Sequence, residues 1–291
     1  MKVFDSNFLG IYAQLTLSRE SPAAREERIA KAFRGTNIYY TGEYPSWSSA
    51  MQDALGYDSP LILEKAISAT KKVVSGAAKF ERDTVVYDHR EVTHRLFCWL
   101  IYASSRLDNS LRVMDFGGAL GSAYIQHREF LQHLKELRWG VVEQENFVSA
   151  GITEFQTEEL RYFYTPEECA EAINPNFLLL SGVLQCIENP FTVLNALLAR
   201  GIPYILIDRT MTRRSVGPDV VAVQHVPAWI YDASYPVWFL DAAALEQCFE
   251  KYGYDIVDTF DPHPGSSFGV AGIDAGYSGW FLQKRDTRSA V

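Results

Sequence analysis

The sequence predicts an α/β fold built on a parallel sheet, and two observations carry that prediction. From Leu111 onward, short apolar runs alternate with helical stretches. The first run, "LRVMDF", opens into a glycine cluster, "GGALG", and then into a helical pattern. Strand–helix alternation implies right-handed βαβ crossovers, and a glycine turn between strand and helix is where such sheets hold ligands.

Residues 1–107 read as a helical extension, or lid. Ser21-Pro22 and Ser59-Pro60 each place an N-cap before a proline at the first helical position. The second pair predicts a helix through "LILEKAISATKKVVSG", stopped by Gly76. The stretch "EVTHRLFCWLIYASSRL" predicts another helix. Between the two Ser-Pro starts, "NIYYTGEYPSWSS" reads as a loop rich in Tyr and Trp.

Residues 108–291 hold the alternating part. The strand runs are "LRVMDF", "WGVVEQ", "LRYFYT", "NFLLLSGVLQ" and "PYILIDRT", with helices expected over "AYIQHREFLQHLKEL" and "PFTVLNALLARG". After Thr210 the pattern is irregular, and 211–240 reads as an insertion carrying Trp229, Tyr231, Tyr235 and Trp238. A helix "DAAALEQCFEKYG" and two strands, "YDIVDTF" and "YSGWFLQKR", follow. "DPHPGSSFGVAGIDAG" between those strands reads as a loop.

The chain has 291 residues and a net charge of -9, a balance that argues against nucleic acid as a partner. Cys98, Cys169, Cys186 and Cys248 form no C-x-x-C pair; Cys98, Cys186 and Cys248 sit among apolar neighbours and read as buried free thiols, which fits a cytoplasmic protein. "MKVFDSNFLGIYAQ" lacks the pattern of a secretory leader, and "LFCWLIYA" is too short to insert across a membrane. His89 and His94, and His127 and His133, are not spaced as H-E-x-x-H, so no metal is expected. The sequence carries no signal for oligomeric state.

The glycine cluster fails the dinucleotide fingerprint G-x-G-x-x-G, since counting from Gly117 puts Ala119 third and Ser122 sixth. No Gly-Lys-Ser/Thr follows, so it fails as a phosphate loop too. Asp115 stands two residues before the first glycine. A carboxylate there repels a pyrophosphate and attracts an ammonium group. S-adenosylmethionine carries an amino group, a sulfonium and a carboxylate. Its amino group suits Asp115, and its carboxylate suits the N–H groups of the loop. The next strand ends in Glu143, which suits the two ribose hydroxyls.

"VMDFGGALG" resembles motif I of the class I S-adenosylmethionine-dependent methyltransferases, D-x-G-x-G-x-G, with Ala119 at the middle glycine. "LLLSGVLQCIENP" resembles the later motif beside the methyl group, and the last two strands resemble the superfamily's antiparallel terminal hairpin. The resemblance covers about Leu111 to Arg285 and implies a Rossmann-like, seven-stranded sheet with an antiparallel terminal strand. "GYDSPLIL", "SGVLQ", "IDRT" and "VQHVPAWIYDASYPVWF" are similar to a small bacterial family assigned as methyltransferases and associated with surface-polysaccharide gene regions.

The cofactor candidates are Asp115, Phe116, Gly117, Gly118, Ala119, Gly121, Ser122, Glu143, Gln144, Ser181 and Val183. A general base is needed only for an acceptor that keeps its proton, such as a hydroxyl. His225, in the insertion, and Asp208, at the end of the fifth strand, are the candidates. His127 stands in reserve. The expected acceptor is a small molecule or saccharide, held between the N-terminal aromatic loop and the insertion. A nucleotide-sugar-type NAD-dependent oxidoreductase is the first rival, weakened by the absence of both G-x-G-x-x-G and Tyr-x-x-x-Lys. A non-catalytic S-adenosylmethionine-binding module is the second.

Overall fold

The computed structural model describes residues 38–56, 60–89, 94–215, 217–263, 268–270 and 273–285. The Ser21-Pro22 helix start and the Ser59 cap lie outside the described residues.

Seven of the strands that follow Leu107 form the central part of the sheet: β4 (Ser110–Phe116), β5 (Glu136–Val142), β6 (Leu160–Phe163), β7 (Phe177–Ser181), β8 (Tyr204–Arg213), β11 (Tyr254–Phe260) and β13 (Ile273–Lys284). They lie in the order β6-β5-β4-β7-β8-β13-β11. The first five are mutually parallel, and β13 runs antiparallel to both β8 and β11. The parallel strands are buried on both faces, so they read as continuous apolar runs and not as alternating ones.

Period-two alternation along β7 divides its side chains between two cores. Leu179 joins Val113, Val141 and Leu206 on one face, under α3 (His94–Arg106) and α5 (Glu145–Glu154). Leu178 and Leu180 join Met114, Ile205 and Ile207 on the other, under α6 (Pro166–Ile173), α7 (Pro190–Leu198) and α8 (Ala242–Lys251). Trp99 of α3 stacks on Phe281 at 4.0 Å, which fixes the extension to the sheet. Two starts are set by local chemistry: Thr165 accepts the Glu168 N–H ahead of Pro166, and Asp241 accepts the Ala243 N–H.

Several expectations change. The extension is not all helical. Besides α1 (Trp47–Gln52) and α2 (Pro60–Val74) it contributes β1 (Tyr39–Tyr44) and the hairpin β2 (Phe80–Arg82) and β3 (Val85–Tyr87). The 211–240 stretch is ordered sheet: β8 runs on to Arg213, and β9 (Val220–Val226) and β10 (Ala233–Asp241) pair antiparallel, with β1 added at the edge. Pro236 inside β10 hid that strand, because proline removes a ladder donor and argues against a strand on sequence. The closing loop also contains a strand, β12 (Phe268–Val270), paired with β13. Among the described residues the sheet therefore has 11 strands. The helix after the glycine cluster is short. α4 (Ser122–His127) passes into a 3-10 turn (Arg128–Leu131), because the chain must return to start β5 at Glu136.

Candidate active site

A cavity of about 320 Å³ opens at the carboxyl ends of β4, β5, β7 and β8. The turn from β4 into α4 forms one wall. Gly117, Ala119 and Gly121 have φ of +75°, +49° and +82°, while the residues between them do not enter the left-handed region. Alternation of this kind turns successive N–H groups toward one side, a concavity that receives an anion. It also explains the spacing of the motif, since every second position needs the conformation that glycine takes without strain.

Asp115 lies directly beneath this turn. A Cβ on Gly118 would stand 2.5 Å from its carboxyl group. Asp115 is only 2% exposed, yet it lines the cavity. Burial pushes its pKa up to about 7 and the Glu143 charge adds to the rise, while the Trp139 indole N–H and the Arg209 guanidinium oppose it. Glu143, at the tip of β5, accepts the Ala119 N–H at 3.3 Å and the Gln144 N–H at 2.7 Å. Burial raises Glu143 as well.

The second wall comes from the extension. Ile62, Ala66 and Thr70 of α2 and the β2–β3 hairpin line the cavity. Ser122 donates to Glu81 and Gln126 donates to the Glu81 carbonyl, so the hairpin is docked on α4. Glu81 is raised by burial. Thr84 and Lys65 donate to the Ile230 carbonyl, tying the extension to the β9–β10 connection over the cavity.

The third wall is made by β7, β8, β9, β10, β13 and the segment after β11. Ser181 donates to Asp208 at 3.3 Å, and Asp208 is 9% exposed. Gln224 donates to Tyr235, whose hydroxyl is 3.4 Å from that of Tyr231. Burial raises Tyr231 and Tyr277, so both are neutral phenols. His263 packs edge-on against Tyr277 at 5.2 Å. Burial and the guanidiniums of Arg209 and Arg82 lower His263, against the opposing carboxylates of Asp208 and Asp261.

Strain is concentrated here. Seven described residues other than glycine have positive φ, and four of them, Asp83, Thr84, Ala119 and Arg209, line this cavity. Each costs about 1–2 kcal/mol, and strain of that size persists where function requires it.

Of the residues expected from sequence, Asp115, Gly117, Gly118, Ala119, Ser122, Glu143, Ser181 and Asp208 border the cavity. Phe116, Gly121, Gln144 and Val183 do not line it, though Val183 packs so close to the turn that a Cβ on Gly117 would meet it at 2.3 Å. His225 is not brought to the cavity. It follows Gln224 on β9 and so faces the other way, stacked on Tyr39 at 4.5 Å and hydrogen-bonded to Thr41 at 2.7 Å. His127 is buried with its Nδ1 against the Ala123 carbonyl. Trp47 stacks on Trp238 in a satellite core, and Trp229 is 57% exposed. Of the three cysteines expected to be buried, Cys98 and Cys186 are exposed and Cys248 is half-buried, while Cys169 is the buried one. Cys186 lines the cavity. Arg209, His263, Tyr277 and the hairpin were not found from sequence, because no local pattern distinguishes them.

No protein-family profile matches the chain, and no curated protein matches it. Among solved structures it is similar to the N-terminal domain of EvdMO1, determined in the presence of SAH and D-fucose, at 16% identity over 74% of this chain and 97% of that one, with a TM-score of 0.47. It is also similar to the 1,6-didemethyltoxoflavin-N1-methyltransferase of Burkholderia thailandensis, at 15% identity over 80% and 95% of the two chains, with a TM-score of 0.40. A third similar structure is CalS10, an amino pentose methyltransferase of Micromonospora echinaspora, at 8% identity over 67% and 92%, with a TM-score of 0.42.

Proposed function

We propose that the chain is an S-adenosylmethionine-dependent methyltransferase acting on a hydroxyl of a small polyhydroxylated or saccharide acceptor. The observation that carries this reading is a buried carboxylate, Asp115, directly beneath a turn whose alternate residues take the left-handed conformation. Together they offer a cation receptor and an anion receptor side by side, which fits the zwitterionic amino-acid end of S-adenosylmethionine. A dinucleotide pyrophosphate has no use for Asp115. Glu143, one strand over, is placed for a ribose diol.

When bound, the cofactor would supply an activated methyl group, whose carbon takes the acceptor oxygen in line as its bond to sulfur breaks and S-adenosylhomocysteine leaves. The residues of this chain position the reactants and manage charge. Asp115 holds the ammonium and the loop holds the carboxylate. Glu143 holds the ribose. α2, the hairpin and the β9–β10 connection cover the cavity and limit water, which sharpens positioning. Tyr231, Tyr235, Tyr277 and Gln224 present hydrogen-bonding tips to an acceptor. Asp208 is placed to accept the hydroxyl proton, and neutral His263 is the other base bordering the same space.

Isothermal titration tests the reading. S-adenosylhomocysteine binds and NAD does not, and a labelled methyl group passes from S-adenosylmethionine to a saccharide in a panel of acceptors. Binding of NAD with no binding of S-adenosylhomocysteine overturns it. Binding of S-adenosylhomocysteine without any transfer supports the non-catalytic module instead.

A further inference from the structure

Arg209 occupies an unusual place in β8. The β8–β13 pairing jumps from Trp280 opposite Ile207 to Ser278 opposite Thr210, so β8 holds one extra residue there. Arg209 falls in that bulge and takes φ +52°. A bulge re-aims a side chain, and this one sends the guanidinium into the cavity. The guanidinium passes over Gly182, where an added Cβ would meet its Nη2, Cζ and Nε at 3.7 to 3.9 Å. Its Nε edge is used: it donates to Ser181 at 3.2 Å, and the nearest carboxylate oxygen, on Asp208, is 3.9 Å from the same atom. Among the described residues, no acceptor takes its Nη donors. The side chain is 30% exposed, and Arg82 and His263 border the same cavity.

We propose that the fork of Arg209 receives a carboxylate inside this cavity, borne by the methyl acceptor, which is therefore a small hydroxy acid of the uronic-acid kind. The inference rests on the reading of the cavity as a methyl-transfer site. A planar fork with two parallel N–H groups matches a carboxylate bidentately. The cofactor's own carboxylate is the other source of the same group. The loop after β4 is already shaped for it, and Arg209 lies in the bulge of β8, two strands and about 10 Å away. Asp208, Asp83 and Glu81 around the fork are acceptors suited to the hydroxyls of such a molecule. A bound carboxylate also offsets the two guanidiniums that add to burial in lowering His263, so the His263 imidazole titrates upward when the site fills.

The test uses the full chain saturated with S-adenosylhomocysteine, with D-glucuronate and D-glucose as probes. Calorimetry should show glucuronate bound at least roughly tenfold more tightly than glucose, and NMR should show the His263 ring titrating at higher pH with glucuronate alone. Arg209→Gln should erase the preference, and Arg209→Lys should keep part of it, because a point charge replaces a fork. Both variants should bind S-adenosylhomocysteine within about threefold of wild type. Equal affinity for the two probes, or a preference that survives Arg209→Gln, overturns the proposal. If Arg209→Gln weakens S-adenosylhomocysteine but not 5′-methylthioadenosine, which lacks the carboxylate, the fork serves the cofactor and the acceptor assignment falls. Failure of the wild type to bind S-adenosylhomocysteine is a separate result and strikes the methyl-transfer reading itself.

Discussion

Trp139 donates its indole N–H to the Asp115 carboxylate at 2.9 Å, between adjacent strands in a fully buried setting. The bond opposes the burial penalty but does not cancel it, and Asp115 stays raised to about 7. The unfolded chain loses this proton near the ordinary carboxylate value of about 3.9. Between about 4 and 7 the folded state therefore binds more protons, so this group's contribution to stability falls as pH rises through that window. Asp115→Asn keeps an oxygen for Trp139 and removes the charge. It should melt at a higher temperature than wild type near pH 8 and differ little near pH 5. At pH 8 it should bind S-adenosylhomocysteine at least roughly tenfold more weakly. A variant that melts lower than wild type at both pH values contradicts the burial argument.

Glu143 ties the end of β5 to the turn after β4 through the Ala119 N–H and also takes the N–H of Gln144, which caps α5. If it also takes a ribose diol, Glu143→Ala removes bonds worth about 1.5–3 kcal/mol each. Affinity should then fall at least roughly 100-fold, and by the same factor for S-adenosylhomocysteine and 5′-methylthioadenosine, which share the ribose. Unequal losses measured by calorimetry would assign Glu143 to the amino-acid end instead.

Ala119 adopts φ +49°, where glycine is at ease and a β-branched residue is not. Relief of left-handed strain (about 1–2 kcal/mol) outweighs the entropy cost of glycine (about 0.5–1 kcal/mol). Ala119→Gly should therefore raise the melting temperature slightly and keep cofactor affinity. Ala119→Val should lower both. Loss of binding in Ala119→Gly would mean that the Ala119 methyl itself contacts the ligand.

His225 holds β1 to the sheet edge through Tyr39 and Thr41. An aromatic contact and a hydrogen bond of this kind are worth about 1–3 kcal/mol together. His225→Ala should lower thermal stability by that order and leave S-adenosylhomocysteine affinity and transfer rate close to wild type. A large fall in transfer rate at unchanged stability would return His225 to the chemistry.

The strand–turn–helix from Ser110 to His127 was legible in the sequence because everything it needs is local. An apolar run, a carboxylate and small residues at alternate positions specify the turn within twelve residues of one another, and neighbouring strands follow from their own apolar runs. The parallel sheet followed from the strand–helix alternation, whereas the order of its strands came only from the tertiary structure. The acceptor end was not legible, and the reason is distance along the chain. Thr84 meets Ile230 across 146 positions, and Lys65 meets it across 165. No pattern in either segment announces the other. The side that His225 faces was likewise a matter of strand register, since a shift of one residue exchanges it with Gln224. Arg209 reads in sequence as an ordinary strand residue. Only the mismatch in length between β8 and β13 forces the bulge that turns its guanidinium into the cavity, and that mismatch exists only once the two strands are paired.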